Sequence, residues 1–175
     1  MSEQPPGSPL SEQPQAEPMT EQQEATYAEL ASELEQVDTD APVVGIVMGS
    51  KSDMPAMEGA EKELEERGIR SEVRVMSAHR EPDVVSEYAR NAQMRGLRVI
   101  IAGAGLSAAL PGVLAAHTQL PVIGVPLTSR TSVAGGLDAL LAIAQMPPGV
   151  PVACVGIDNA RNAAVLAARI LTSAP

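Results

Sequence analysis

From Val43 onward, short apolar runs alternate with segments of helical length, and this alternation constrains the fold more than any other feature of the chain. The runs are Val43–Met48, Ser71–Val75, Val99–Ala102, Val122–Val125 and Val152–Ile157. Four of them are rich in Val and Ile and apolar on both faces, as strands of a parallel sheet covered on both sides should be. Helix candidates fall near 54–67, 83–95, 106–117 and 136–145, with a last one near 159–172. Five strands, each followed by a helix, predict a doubly wound α/β fold with right-handed crossovers and helices on both faces. In such sheets ligands bind beyond the carboxyl ends of the strands. The site is therefore expected in the loops that follow them.

The segment before this pattern is of another kind. Residues 1–41 carry ten acidic residues and no Lys or Arg, whereas the remaining 134 carry twelve of each sign. The net charge of −10 thus belongs to a tail. Residues 1–19 hold five prolines among Ser, Gln and Glu and are expected to be disordered. Thr20 with Gln23 makes a capping box, and Tyr27, Leu30, Leu34 and Val37 recur at helical spacing, so an amphipathic helix is expected over 20–37. The expected division is a tail over 1–41 and a catalytic domain over 42–175.

Composition excludes several classes. With two Tyr, no Phe, no Trp and no basic excess in the folded part, the chain lacks the clustered cations that offset a phosphate backbone and the rings on which bases stack, so no nucleic-acid partner is expected. One cysteine, Cys154, rules out an internal disulfide or a thiolate zinc cluster. The chain has no signal-peptide pattern and no run of about 20 apolar residues, which predicts a cytoplasmic protein with no membrane contact. The last helix is apolar over roughly half its circumference, wider than the ~100° stripe that one-sided burial needs, and predicts a homo-oligomer.

The unusual residues sit in the expected loops. After the first run comes Gly49-Ser50-Lys51-Ser52-Asp53, where small residues bring N–H groups and two hydroxyls to a helix start. Asp53 either caps that helix or accepts from sugar hydroxyls. The segment matches neither a Walker loop nor the dinucleotide fingerprint. After the second run comes Ser77-Ala78-His79-Arg80-Glu81, readable as a proton carrier beside an anion-binding group, or as a surface His paired with Glu81. After the third runs Gly103 to Gly112, whose glycines permit close backbone approach to a flat ligand. Thr128 to Gly136 reads as a further flexible loop.

Together these segments resemble the PurE proteins of purine biosynthesis, the N5-carboxyaminoimidazole ribonucleotide mutases. The matching stretches are VMGSKSD (47–53), SAHR (77–80), IAGAG (101–105), LPGVLAA (110–116), PVIGVP (121–126), QMP (145–147) and NAAVLAA (162–168), in family order over about residues 43–171. The resemblance implies a flavodoxin-like three-layer α/β/α sandwich assembled as a homo-octamer with sites between subunits. It implies cofactor-free transfer of a carboxylate from N5 to C4 of an aminoimidazole ribonucleotide. It places Ser50, Asp53 and Arg80 on nucleotide-binding positions, with Ser52 and Ser77 beside them as phosphate or ribose contacts. Ala104 and Gly105 face the imidazole, Leu110 completes the substrate-binding set, and His79 falls on the catalytic histidine. No metal is implied, and His117 and Cys154 read as structural. The chain carries Ala109 directly before its LPG, where the family's bacterial mutases usually carry a His, and Leu106-Ser107 where a Gly-Ala pair is common.

The nearest rival is carboxylation of aminoimidazole ribonucleotide with free CO2, which would use the same histidine and nucleotide site. Carboxylation of a pyridine mononucleotide resembles the chain at Gly135-Gly136-Leu137 and Asp158-Asn159, but without GSKSD and SAHR together. A non-catalytic nucleotide-binding paralogue is the third alternative; His79 argues against it.

Overall fold

A computed structural model describes residues 41–173, together with Thr20 and Ala25. The expected tail and its helix over 20–37 otherwise lie outside the described residues. Asp40–Pro175 forms one compact unit. Its five strands are β1 (Val44–Met48), β2 (Ser71–Val75), β3 (Val99–Gly105), β4 (Val122–Leu127) and β5 (Ala153–Cys154). Its helices are α1 (Met54–Glu66), α2 (Pro82–Asn91), α3 (Leu110–His117), α4 (Leu137–Ala144) and α5 (Ala160–Ser173). All strand pairs are parallel and the order is β2-β1-β3-β4-β5, the flavodoxin-like α/β arrangement.

Two apolar layers form because successive strand residues point to opposite faces. Val44, Ile46 and Met48 of β1 join Val99 and Ile101 of β3 and Ile123 and Val125 of β4 against α1 and α5. Val47, Ile100, Ala102 and Val122 face the other way, against α2, α3 and α4. The three central strands are buried nearly throughout, while β2 at the edge is half-buried to exposed. The chain crosses from one face to the other between β1 and β3, so their carboxyl ends part there into a crevice.

Three boundaries differ from the sequence expectation. Gly103-Ala104-Gly105 reads as loop but continues β3, pairing with Val125, Pro126 and Leu127 of β4. Helix α3 therefore begins at Leu110 rather than at 106, with Leu106 held at φ 54° in the intervening turn and Pro111 in the helix's first turn. The last apolar run shrinks to two strand residues. Beyond them β4 offers carbonyls, with Gly124 accepting from Val155 N–H and Pro126 from Asp158 N–H. A proline brings no N–H to that edge, so the ladder ends.

Candidate active site

The carboxyl ends of β1 to β4 open into a cleft of about 390 Å³. Its first wall is the β1–α1 turn. Ser50 is extended, at φ −151° and ψ 152°, and caps the 3-10 turn Lys51–Asp53 by accepting from Ser52 N–H at 3.2 Å. Ser52 Oγ donates to Ser50 Oγ at 2.8 Å, so the two hydroxyls are linked side by side. Asp53 precedes α1 yet makes no side-chain bond to the helix. Of the two readings open for it, helix capping is not what its carboxylate does; Asp53 Oδ1 lies 3.4 Å from Ser52 Oγ, and Asp53 lines the cleft.

The second wall is the turn after β2. Glu81 N–H donates to Ser77 C=O at 2.8 Å and closes the turn over Ala78, His79 and Arg80. Glu81 Oε2 accepts from Ser77 N–H at 3.5 Å, so Glu81 braces the turn's own backbone rather than pairing with His79. Ser77 is buried, whereas His79 and Arg80 stand exposed in the cleft. Arg80 Nη2 reaches across to donate to Gly49 C=O at 2.8 Å, tying the second loop to the first.

The floor and far wall come from β3 and its turn. Ala104 and Gly105 end the strand, Leu106 turns back in the left-handed region, and Ala108, Ala109 and Leu110 lead into α3. All nine residues expected at the site line this one cleft: Ser50, Ser52, Asp53, Ser77, His79, Arg80, Ala104, Gly105 and Leu110. His117 lies half-buried at the end of α3 and is not among the lining residues. Cys154 sits half-buried in β5, and burial pushes its thiol above the usual range.

Sequence reasoning missed Thr128 and Ser129, which close the cleft beyond β4. The available signal was their place at a strand's carboxyl end. Another cavity, of about 350 Å³, is lined by Ile46, Met48, Met54, Pro55, Met57 and Val73 with Glu58 and Glu61. It holds none of the nine residues, no hydroxyl and no cation. Chemistry belongs to the polar cleft.

The arrangement offers one imidazole, one guanidinium, one carboxylate and several hydroxyls around a strip of small residues. It suits a flat ligand carrying a sugar and an anionic group. Among the described residues, no three His, Cys, Asp or Glu cluster as metal ligands would, and no helix is long and apolar enough to cross a membrane.

Known proteins share both sequence and fold. A family model described as AIR carboxylase matches residues 43–174. The N5-carboxyaminoimidazole ribonucleotide mutase of Pyrococcus abyssi is 58% identical over 136 residues, covering 78% of this chain and 77% of that protein. The phosphoribosylaminoimidazole carboxylase of Schizosaccharomyces pombe is 54% identical over 134 residues, covering 77% of this chain but 24% of the longer relative. The crystal structure of Treponema denticola PurE superposes with a TM-score of 0.67 at 33% identity, covering 77% of this chain and 82% of that one.

Proposed function

The chain belongs to the AIR carboxylase family, and from that premise we propose that it is an N5-carboxyaminoimidazole ribonucleotide mutase of purine biosynthesis. One observation carries the reading: the GSKSD turn, the SAHR turn and the Gly-Ala-Gly strand end, distant in sequence, line a single cleft. Identities of 58% and 59% to relatives bearing that name support it.

In this reading Arg80 and the hydroxyls of Ser50, Ser52 and Ser77 take the phosphate and neighbouring ribose oxygens, and Asp53 accepts from ribose hydroxyls. The imidazole lies along Ala104 and Gly105, against Leu110. His79 as imidazolium gives its proton to N5 of the carbamate. The N5–carboxylate bond breaks, and CO2 leaves with the bonding pair retained on nitrogen. The aminoimidazole formed is an enamine, whose C4 attacks that CO2. Neutral His79 then takes the C4 proton, which restores both the aromatic ring and the imidazolium. One proton enters at N5 and one leaves from C4, so the cycle balances without a cofactor. Imidazole is the side chain suited to give and then take a proton near neutral pH.

The Schizosaccharomyces pombe relative favours a second reading, direct carboxylation of aminoimidazole ribonucleotide by free CO2. Incubating the purified protein with each substrate, without ATP, separates them. Turnover of N5-carboxyaminoimidazole ribonucleotide without added bicarbonate is the expected result. Product formed only from aminoimidazole ribonucleotide plus bicarbonate would overturn the mutase. A homo-octamer in the cytoplasm completes the proposal; the exposed Val133, Leu137 and Leu141 supply apolar surface for such an assembly.

A further inference from the structure

We propose that Asp158 is a positioning residue, one that fixes the Thr128 hydroxyl as an acceptor for an N–H group of the bound ribonucleotide. The inference rests on the reading of the cleft just given and adds a contact that the sequence did not signal.

Both donors of Thr128 go to one carboxylate. Its N–H donates to Asp158 Oδ1 at 2.8 Å, and its O–H donates to Asp158 Oδ2 at 2.6 Å. A carboxylate can only accept, so the direction of the second bond is settled by chemistry. This differs from the neighbouring Ser129 and Ser132 hydroxyls, 3.2 Å apart, where either could donate. With its single proton committed to Asp158, Thr128 Oγ1 has only lone pairs left to offer, and Thr128 lines the cleft.

Asp158 is itself held in place. It lies at φ 54°, in the left-handed region that favours glycine and that Asn and Asp enter only occasionally. Its N–H donates to Pro126 C=O at 2.8 Å. The next residue leads into α5, with Asn159 Oδ1 accepting from Asn162 N–H at 3.1 Å. Backbone shape alone would favour glycine at 158. The carboxylate is what the position gains from carrying a strained side chain.

The place of Thr128 names the ligand group. Gly105 pairs with Leu127, the residue just before Thr128, so Thr128 follows directly on the strand beside the strip assigned to the imidazole and lines the same cleft. Phosphate oxygens carry only acceptors. The exocyclic nitrogen of the aminoimidazole carries N–H, which an oxygen limited to accepting can recognise.

The test uses calorimetric binding of aminoimidazole ribonucleotide to the full-length protein. Thr128→Val removes the hydroxyl and keeps the shape. Asp158→Asn tolerates the left-handed backbone, but turns an amide donor toward Thr128 Oγ1 and sends the hydroxyl proton into the cleft. Each should weaken binding at least 10-fold while leaving the melting temperature within about 2 °C. Thr128→Ser should restore affinity to within threefold. The double variant Thr128→Val/Asp158→Asn should bind no worse than Thr128→Val alone, because the two residues act through one oxygen. Unchanged affinity in Thr128→Val, or full affinity in Asp158→Asn, would overturn the proposal. Wild-type turnover reads the mutase assignment separately, so the two ideas can fail apart.

Discussion

Arg80 and Gly49 meet across two loops: the Arg80 Nη2 donates to the Gly49 carbonyl at 2.8 Å, 31 residues away in sequence. That bond uses one of the five guanidinium donors, and Arg80 lines the cleft with the others available to a ligand. Arg80→Ala should weaken apparent substrate affinity by about 10- to 150-fold, since a charge-assisted bond contributes ~1.5–3 kcal/mol. Steady-state kinetics reads this directly as a raised KM. An unchanged KM would mean that the phosphate sits elsewhere.

His79 stands beside Arg80 but takes no part in holding the turn, whose closing bonds run between Ser77 and Glu81. His79→Asn should therefore keep the melting temperature and the affinity for nucleotide. Its turnover should fall by ~10²–10⁴-fold, the usual contribution of a general acid–base group. Activity within a few-fold of wild type would remove His79 from the mechanism.

The two turns that hold these residues are legible in sequence because one follows the apolar run Val43–Met48 and the other the alternating run Ser71–Val75, and each opens on charged and hydroxylic residues. Where side chains carry no pattern, legibility fails. Gly103 to Gly105 looks like loop, and only pairing with the neighbouring strands makes it strand. The run Val152–Ile157 looks like a full strand, yet Pro126 on the neighbouring strand withholds the donor that would extend it. Thr128 reads as the start of a flexible loop because hydroxyls are common in loops. Its partner Asp158 lies 30 residues on, a separation that no local pattern spans.

Glu72 on β2 gives a pH dependence of stability away from the cleft. Burial pushes its carboxyl up, but hydrogen bonds from Arg95, Tyr88 and Arg74 outweigh burial and hold it below the usual range. A carboxyl lowered on folding stabilises the native state above its unfolded pKa, about 4.3, and loses that contribution as pH falls through the folded value. Wild type should therefore melt above Glu72→Gln at pH 7, with the gap closing below pH ~4. Thermal melts across that range read the difference. A gap that stays constant with pH would show that the charge of Glu72 is not what stabilises the cluster.

Gly103 and Gly105 lie two residues apart on β3, yet a methyl group added to each meets a different obstacle. At Gly103 it would run into the thioether of Met57, a side chain of α1 buried in the core away from the cleft. At Gly105 it would stand 3.0 Å from the Leu127 carbonyl oxygen, a backbone atom that cannot rotate aside. Overpacking of this kind costs about 1–3 kcal/mol in either place, so both alanine variants should melt lower than wild type. Their effects on catalysis should part. Gly103→Ala is relieved by movement of Met57 within the core and should keep catalytic efficiency within about threefold of wild type, a barrier change under ~0.7 kcal/mol. Gly105→Ala can be relieved only by moving the ends of β3 and β4 apart, which shifts Thr128 and the strip assigned to the imidazole together. Catalytic efficiency should drop there by about 10-fold or more, because misplacement of about 1 Å in a positioned site costs on that order or beyond. Equal losses in the two variants would mean that strain at β3 spreads through the sheet as a whole, and that Gly105 has no particular claim on the ligand.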